Sequence, residues 1–150
     1  MKSLAYFLRT NFKTVSFGWV LTFLSSFGQT FLISLYVPEL IKTFAISEGT
    51  FGSIYALGTV IASVVLITVG HTIDHKPVKK VVFLNFIGLI LSCLLLSFSA
   101  YHIALLIIAM IGLRLTGQGM LSHISQTVMS RFYGANFLRA AIGAWVVFGW

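Results

Sequence analysis

The sequence predicts an all-α protein, a polytopic membrane helix bundle of four transmembrane helices and the start of a fifth. Three observations predict it. Hydrophobic residues make up 58 % of the 150-residue chain and charged residues 9 %, against about 25 % charged in soluble domains. A soluble domain of this length has no interior large enough for so much apolar surface, so lipid must shelter much of it. The apolar residues form long uncharged runs, and the basic residues collect in alternate gaps between them.

The first uncharged run, 14–38, lies between Lys13 and Glu39. It is too long for the 7–15-residue core of a cleavable signal peptide and offers no convincing small-x-small site, so it reads as a retained span. The second, 49–70, has 22 residues, about 33 Å as a helix against a hydrocarbon core of about 30 Å. The third is 81–101. The fourth, 103–130, follows His102 and is interrupted by Arg114 and His123. A last apolar stretch, 140–150, reaches only about 17 Å and cannot cross. Either it lies at the membrane interface or the chain is the front part of a longer protein.

Lysine and arginine set the orientation. Lys2, Arg9 and Lys13 precede the first span; Lys76, Lys79 and Lys80 separate the second from the third; Arg131 and Arg139 follow the fourth. Only Lys42 falls in the opposite gaps, beside Glu39 and Glu48. This bias predicts a cytoplasmic N-terminus in an integral multi-pass membrane protein. The net charge of +7 is thereby explained without nucleic acid. Cys93, alone, can form no internal disulfide and reads as a packed small hydrophobe.

Polar residues within the spans suggest what the bundle does. On the first, Gly18, Thr22, Ser25, Ser26 and Gln29 lie within about 100° at 100° per residue and must face helices or water. Gly52, Ala56, Thr59 and Ser63 form a small-residue row on the second, suited to helix packing, as are Gly112 and Gly119 on the fourth. Arg114 stands about 18 Å into its span, near mid-membrane, where insertion costs about 2.5–3.5 kcal/mol unless compensated. No acidic residue lies in any of the four spans. Its counter-charge is then a substrate anion, another part of the protein or backbone carbonyls. Gln118, Ser122 and Ser125 share its face at helical spacing; His123 falls about 180° away, as a packing or hydrogen-bonding residue.

The segment Gly70-His71-Thr72-Ile73-Asp74-His75-Lys76-Pro77-Val78-Lys79-Lys80, between spans two and three, resembles the signature loop of the major facilitator superfamily, Gly-x-x-x-Asp-Arg/Lys-x-Gly-Arg/Lys-Arg/Lys. Gly70, Asp74 and Lys79 match. His75 stands at a basic position, Pro77 replaces the second glycine, and Val78 replaces a basic residue. Arg114-Leu115-Thr116-Gly117-Gln118-Gly119 is similar to the arginine-glycine motif of that family's fourth helix, with Gln and Gly shifted by one position. Phe27-Gly28-Gln29-Thr30-Phe31 and Arg131-Phe132 with Arg139 look like one bacterial branch of it.

The resemblance implies twelve spans in two halves around a midplane site reached by alternating access. This chain would supply part of the N-terminal half, needing the remaining helices to move solute. Gly70, Asp74, His75, Lys76, Lys79 and Lys80 would form a gating loop, in which Asp74 pairs with neighbouring helices and the lysines meet the opposite half. Ser26, Gln29, Arg114 and Gln118 are the candidate substrate contacts, for a small organic solute with an anionic group; drug or cation export is the rival within the family. The alternative is a small four-span scaffold or oligomeric subunit. An enzyme is not expected: no phosphate loop, nucleophile constellation or metal spacing occurs beyond the weak His71/Asp74/His75 grouping, and no cofactor is implied.

Overall fold

The fold follows from four apolar helices that cannot satisfy their backbone in lipid except internally. The computed structural model describes Tyr6 and residues 9–133. The apolar stretch 140–150, Lys2 and Arg139 lie outside the described residues. The chain runs α1 (Phe12–Ser25), a 3₁₀ turn (Ser26–Gly28), α2 (Thr30–Ser34), α3 (Val37–Phe44), α4 (Glu48–Gly70), α5 (Thr72–His75) and α6 (Val78–Ser97). A second 3₁₀ turn (Ser99–Tyr101), α7 (Ile103–Gly112), a π-helical segment (Leu113–Leu121) and α8 (Ser122–Tyr133) complete it. No strand occurs among the described residues.

Four stretches are long and apolar enough to cross a membrane: Phe12–Ser34, Glu48–Gly70, Val78–Ser97 and Ile103–Phe132. All four spans expected from sequence are present, with shifted ends. The first stops at Ser34 rather than Pro38; Pro38 falls in the first turn of α3, where its missing N–H has no helical partner to lose. The second starts at Ser47, whose Oγ accepts from Thr50 N at 3.1 Å, with Glu48 in the first turn; both favour a helix N-terminus. The third begins directly after Pro77, so Lys79 and Lys80 are its first turn rather than a loop. The fourth is capped by His102, whose Nδ1 accepts from Ala104 N at 3.0 Å.

The fourth span is the hub. Leu106, Met110, Leu113, Leu121 and Ile124 are among the largest fully buried side chains. Leu113, Met120, Leu121, Ile124 and Val128 join Leu21, Val81, Val82 and Leu89 in one apolar cluster. Leu106 and Met110 form a second with Ile33 and Phe51. The short α3 lays Val37, Leu40, Ile41 and Phe44 over that second cluster and leaves Glu39 and Lys42 exposed. Leu57, Val60, Val64 and Ile67 on α4, and Phe83, Ile87, Ile90 and Leu94 on α6, point outward. Such continuous exposed apolar faces suit lipid and nothing aqueous.

Packing on α4 differs from the expected row. Gly52 meets nothing within 4 Å and Ala56 is exposed. The buried side is Phe51, Gly58 and Ala62, where Gly58 lies against Met110 and Ile111. Thr59 and Ser63, a quarter-turn away, are left for another purpose. Gly112 does pack closely, with Ser92 of α6, and Gly119 abuts Leu66.

A buried arginine site at the crossing of a broken and a π-wound helix

The first span breaks at the level where the fourth changes its winding. After the 3₁₀ turn Gln29 is extended, with φ −79° and ψ 150°, before α2 resumes. Gly28 lies against backbone: a methyl there would collide with Leu113 O and Gln118 N. Reciprocally, a Cβ on Gly117 would lie 2.7 Å from Gly28 N and 2.9 Å from Gly28 Cα. Only glycine permits the two backbones to meet so closely.

Arg114 sits at this crossing, half-buried. Its Nε donates to Thr59 Oγ1 at 3.1 Å and its Nη1 to Gly28 O at 3.2 Å. Its guanidinium lies over the Tyr55 ring, 4.9 Å from the centroid, within cation–π range. Tyr55 is held in turn by a 2.7 Å hydrogen bond between its hydroxyl and that of Thr30. A carbonyl, a hydroxyl and an aromatic face thus compensate the charge; Gly28 O is available because the helix break removes it from a regular i→i+4 ladder. A backbone carbonyl, one of the three counter-charges open from sequence, does reach Arg114, and no carboxylate reaches it among the described residues.

From Arg114 a cavity of about 430 Å³ runs between α4 and the fourth span. Thr59, Ala62, Ser63 and Leu66 form one wall; Arg114, Gln118, Gly119, Ser122, His123 and Gln126 form the other. Along α4 it leads from Thr59 towards Gly70, and so towards the end of the bundle that bears Lys76, Lys79 and Lys80. Within the candidate set, Arg114 and Gln118 meet in this cavity. Ser26 and Gln29 do not line it; Gly28, the residue before Gln29, reaches the site through its carbonyl.

Two face assignments differ from helical arithmetic. His123 shares the cavity with Arg114 instead of opposing it. Ser125 points away, donating to Gly18 O at 3.0 Å and lying 3.1 Å from Thr22 Oγ1. The cause is the π segment, whose i→i+5 bonding lowers the turn per residue from 100° to roughly 82°. Over nine residues the face lags by about half a turn, which brings residue 123 round to residue 114. Asn85, buried on α6, donates to Thr116 O at 2.9 Å and so satisfies a carbonyl within the π segment. Gly18, Thr22 and Ser25 of the polar stripe face α8 or the helix's own carbonyls, which accounts for them as packing residues.

In the turn between the second and third spans, Ile73 is fully buried and its carbonyl accepts from Arg131 Nη1 at 3.3 Å, so the end of the fourth span holds the turn in place. Gly70 lies beside His123. His71, His75, Lys76, Lys79 and Lys80 are exposed. The side chain of Asp74 lies outside the described residues. No group of three metal-ligating side chains occurs among the described residues.

Sequence reasoning did not single out Tyr55 or Gln126, assigned Thr59 to helix packing, and named Gly28 only within a resemblance. A π turn is not visible as a pattern, but the doubled glycines of Gly117-Gln118-Gly119 beside an intramembrane arginine were a usable sign. Comparison with protein-family models, with curated proteins and with solved structures found no match.

Proposed function

We propose that these helices belong to a secondary transporter of the major facilitator type, in a bacterial inner membrane, moving a small organic solute with an anionic group by alternating access. The observation that carries the reading is Arg114 at the meeting point of a broken helix and a π-wound helix, opening into a polar cavity. Discontinuous helices at membrane depth occur where backbone lines a solute or ion site, and π turns concentrate at functional positions. An intramembrane arginine is costly and is retained where it serves a function. The one-residue shift of Gln118 and Gly119 against the family's fourth-helix motif also supports the resemblance. It falls inside the π segment, where i→i+5 bonding accommodates an added residue.

In this mechanism Tyr55 and Gly28 hold the guanidinium in place, and its unused N–H groups meet the solute's acid. Gln118 contacts the remainder. The exposed basic loop would face the other half of the transporter, and its engagement and release would alternate access to the site. Whole cells expressing the gene should take up or extrude an organic anion saturably. Arg114→Gln should raise the apparent KM for the anion about tenfold or more, by removing a charge-assisted contact. Unchanged anion transport in that variant would refute the role of Arg114. Absence of any saturable flux, together with a stable homo-oligomer, would favour the scaffold reading.

A further inference from the structure

The cavity carries more information than a single positive charge. Its polar groups on the fourth span are spaced in fours: Arg114, Gln118, Ser122 and Gln126 all line it. Arg114 is the one permanent charge on its walls. Of the five guanidinium N–H donors, two are used by Thr59 and Gly28, which leaves three. Gln118, Ser122 and Gln126 have no side-chain hydrogen bond among the described residues, and none has an interaction left undescribed. Each amide can both donate and accept, as can the serine hydroxyl. On the facing helix the Thr59 and Ser63 hydroxyls already donate to carbonyls of α4 and can offer only acceptor capacity, and Ala62 and Leu66 give that wall an apolar floor.

The shape restricts the occupant further. Thr59 to Leu66 spans about 10 Å of helix, and the groove, about 430 Å³ in volume and partly open, has room for one small organic molecule laid along it. One end offers a single cation. The rest offers a row of neutral groups that donate and accept.

We infer that the Arg114 groove selects a polyhydroxylated monocarboxylate, with the acid at Arg114 and successive hydroxyls on Gln118, Ser122 and Gln126. This deepens the transporter reading and rests on it, naming the substrate class of the same site. A second acid at the far end would find only neutral partners and the exposed His123, so a dicarboxylate is disfavoured by uncompensated charge. A plain fatty acid would leave the row of amides unpaired once water is displaced. An uncharged polyol would leave the guanidinium's spare donors without an anion.

The test is calorimetric titration of the purified chain in lipid nanodiscs with four six-carbon probes: gluconate, hexanoate, glucitol and glucarate. Gluconate should bind roughly tenfold or more tighter than each of the others. The double variant Gln118→Ala with Gln126→Ala should weaken gluconate roughly tenfold, to the level of hexanoate, while hexanoate itself is unchanged. Arg114→Gln should abolish the preference of gluconate over glucitol. Equal affinity for gluconate and hexanoate, or loss of both in the glutamine variant, overturns the hydroxyl row and leaves the anion site standing. Tighter binding of glucarate overturns the single-charge argument. Glucitol equal to gluconate, or no binding of any probe, overturns this inference and the anion reading together. Retained helicity and an unshifted melting temperature confirm that each variant is folded.

Discussion

Gly117→Ala isolates the contact on which the arginine site depends. A Cβ at residue 117 would stand 2.7 Å from Gly28 N, whereas ordinary contact begins at about 3.4 Å. Both sides of the clash are backbone, so neither can rotate away, and the first and fourth spans must separate by about 0.7 Å. Overpacking of this kind costs about 1–3 kcal/mol. The Arg114 Nη1 to Gly28 O bond, 3.2 Å long, would stretch to about 3.9 Å, beyond hydrogen-bonding range. Loss of a bond from a charged donor adds about 1.5–3 kcal/mol. The total, about 2.5–6 kcal/mol, is a large share of the stability of a marginal fold. Gly52→Ala is the control, because a methyl there meets nothing within 4 Å. It exchanges a poor helix former for a good one, worth up to about 1 kcal/mol of stabilisation in a soluble helix. Denaturant unfolding of both variants in the same micelles, followed by circular dichroism, gives the comparison. If Gly117→Ala unfolds no earlier than Gly52→Ala, the close crossing is not what holds Arg114, and the account of the site fails.

Two further predictions concern the π segment and the topology. Asn85→Leu removes the donor to Thr116 O and leaves a buried carbonyl unpaired, so thermal unfolding should reveal a loss of about 1–3 kcal/mol; an unchanged melting temperature would mean that the π winding needs no outside partner. In a Cys93→Ser background, Lys79→Cys and Lys42→Cys place thiols at exposed positions on opposite sides of the membrane. An impermeant maleimide applied to intact cells should label the second and spare the first, as the distribution of basic residues requires; the reverse pattern would invert the proposed orientation.

The legible part of the fold was the part set by local chemistry. Four apolar runs of helical length in a chain with so little charge leave no structure but membrane-spanning helices, because every backbone amide in lipid needs a partner within its own segment. Arg114 was conspicuous for the same reason, since a charge at that depth is costly wherever its partner lies. The row Gly52, Ala56, Thr59 and Ser63 was harder to assign, because small residues suit both a helix contact and a cavity wall. Thr59 and Ser63 turned out to serve the cavity, while Gly58 and Ala62 took the packing role.

What hydropathy and charge alone determined is therefore the class of the molecule: lipid as its solvent, four crossings, and an arginine in want of compensation. The tertiary structure decided what compensates it. Gly28 and Thr59 are 86 and 55 residues from Arg114 along the chain, and no periodicity links positions so distant. It also decided which residues share the cavity. Projecting faces from sequence assumes a constant 100° per residue, and that assumption ends where close backbone contact with the broken first span coincides with π winding in the fourth. His123 and Ser125 exchange sides for that reason, and the row from Arg114 to Gln126 comes to line a single groove.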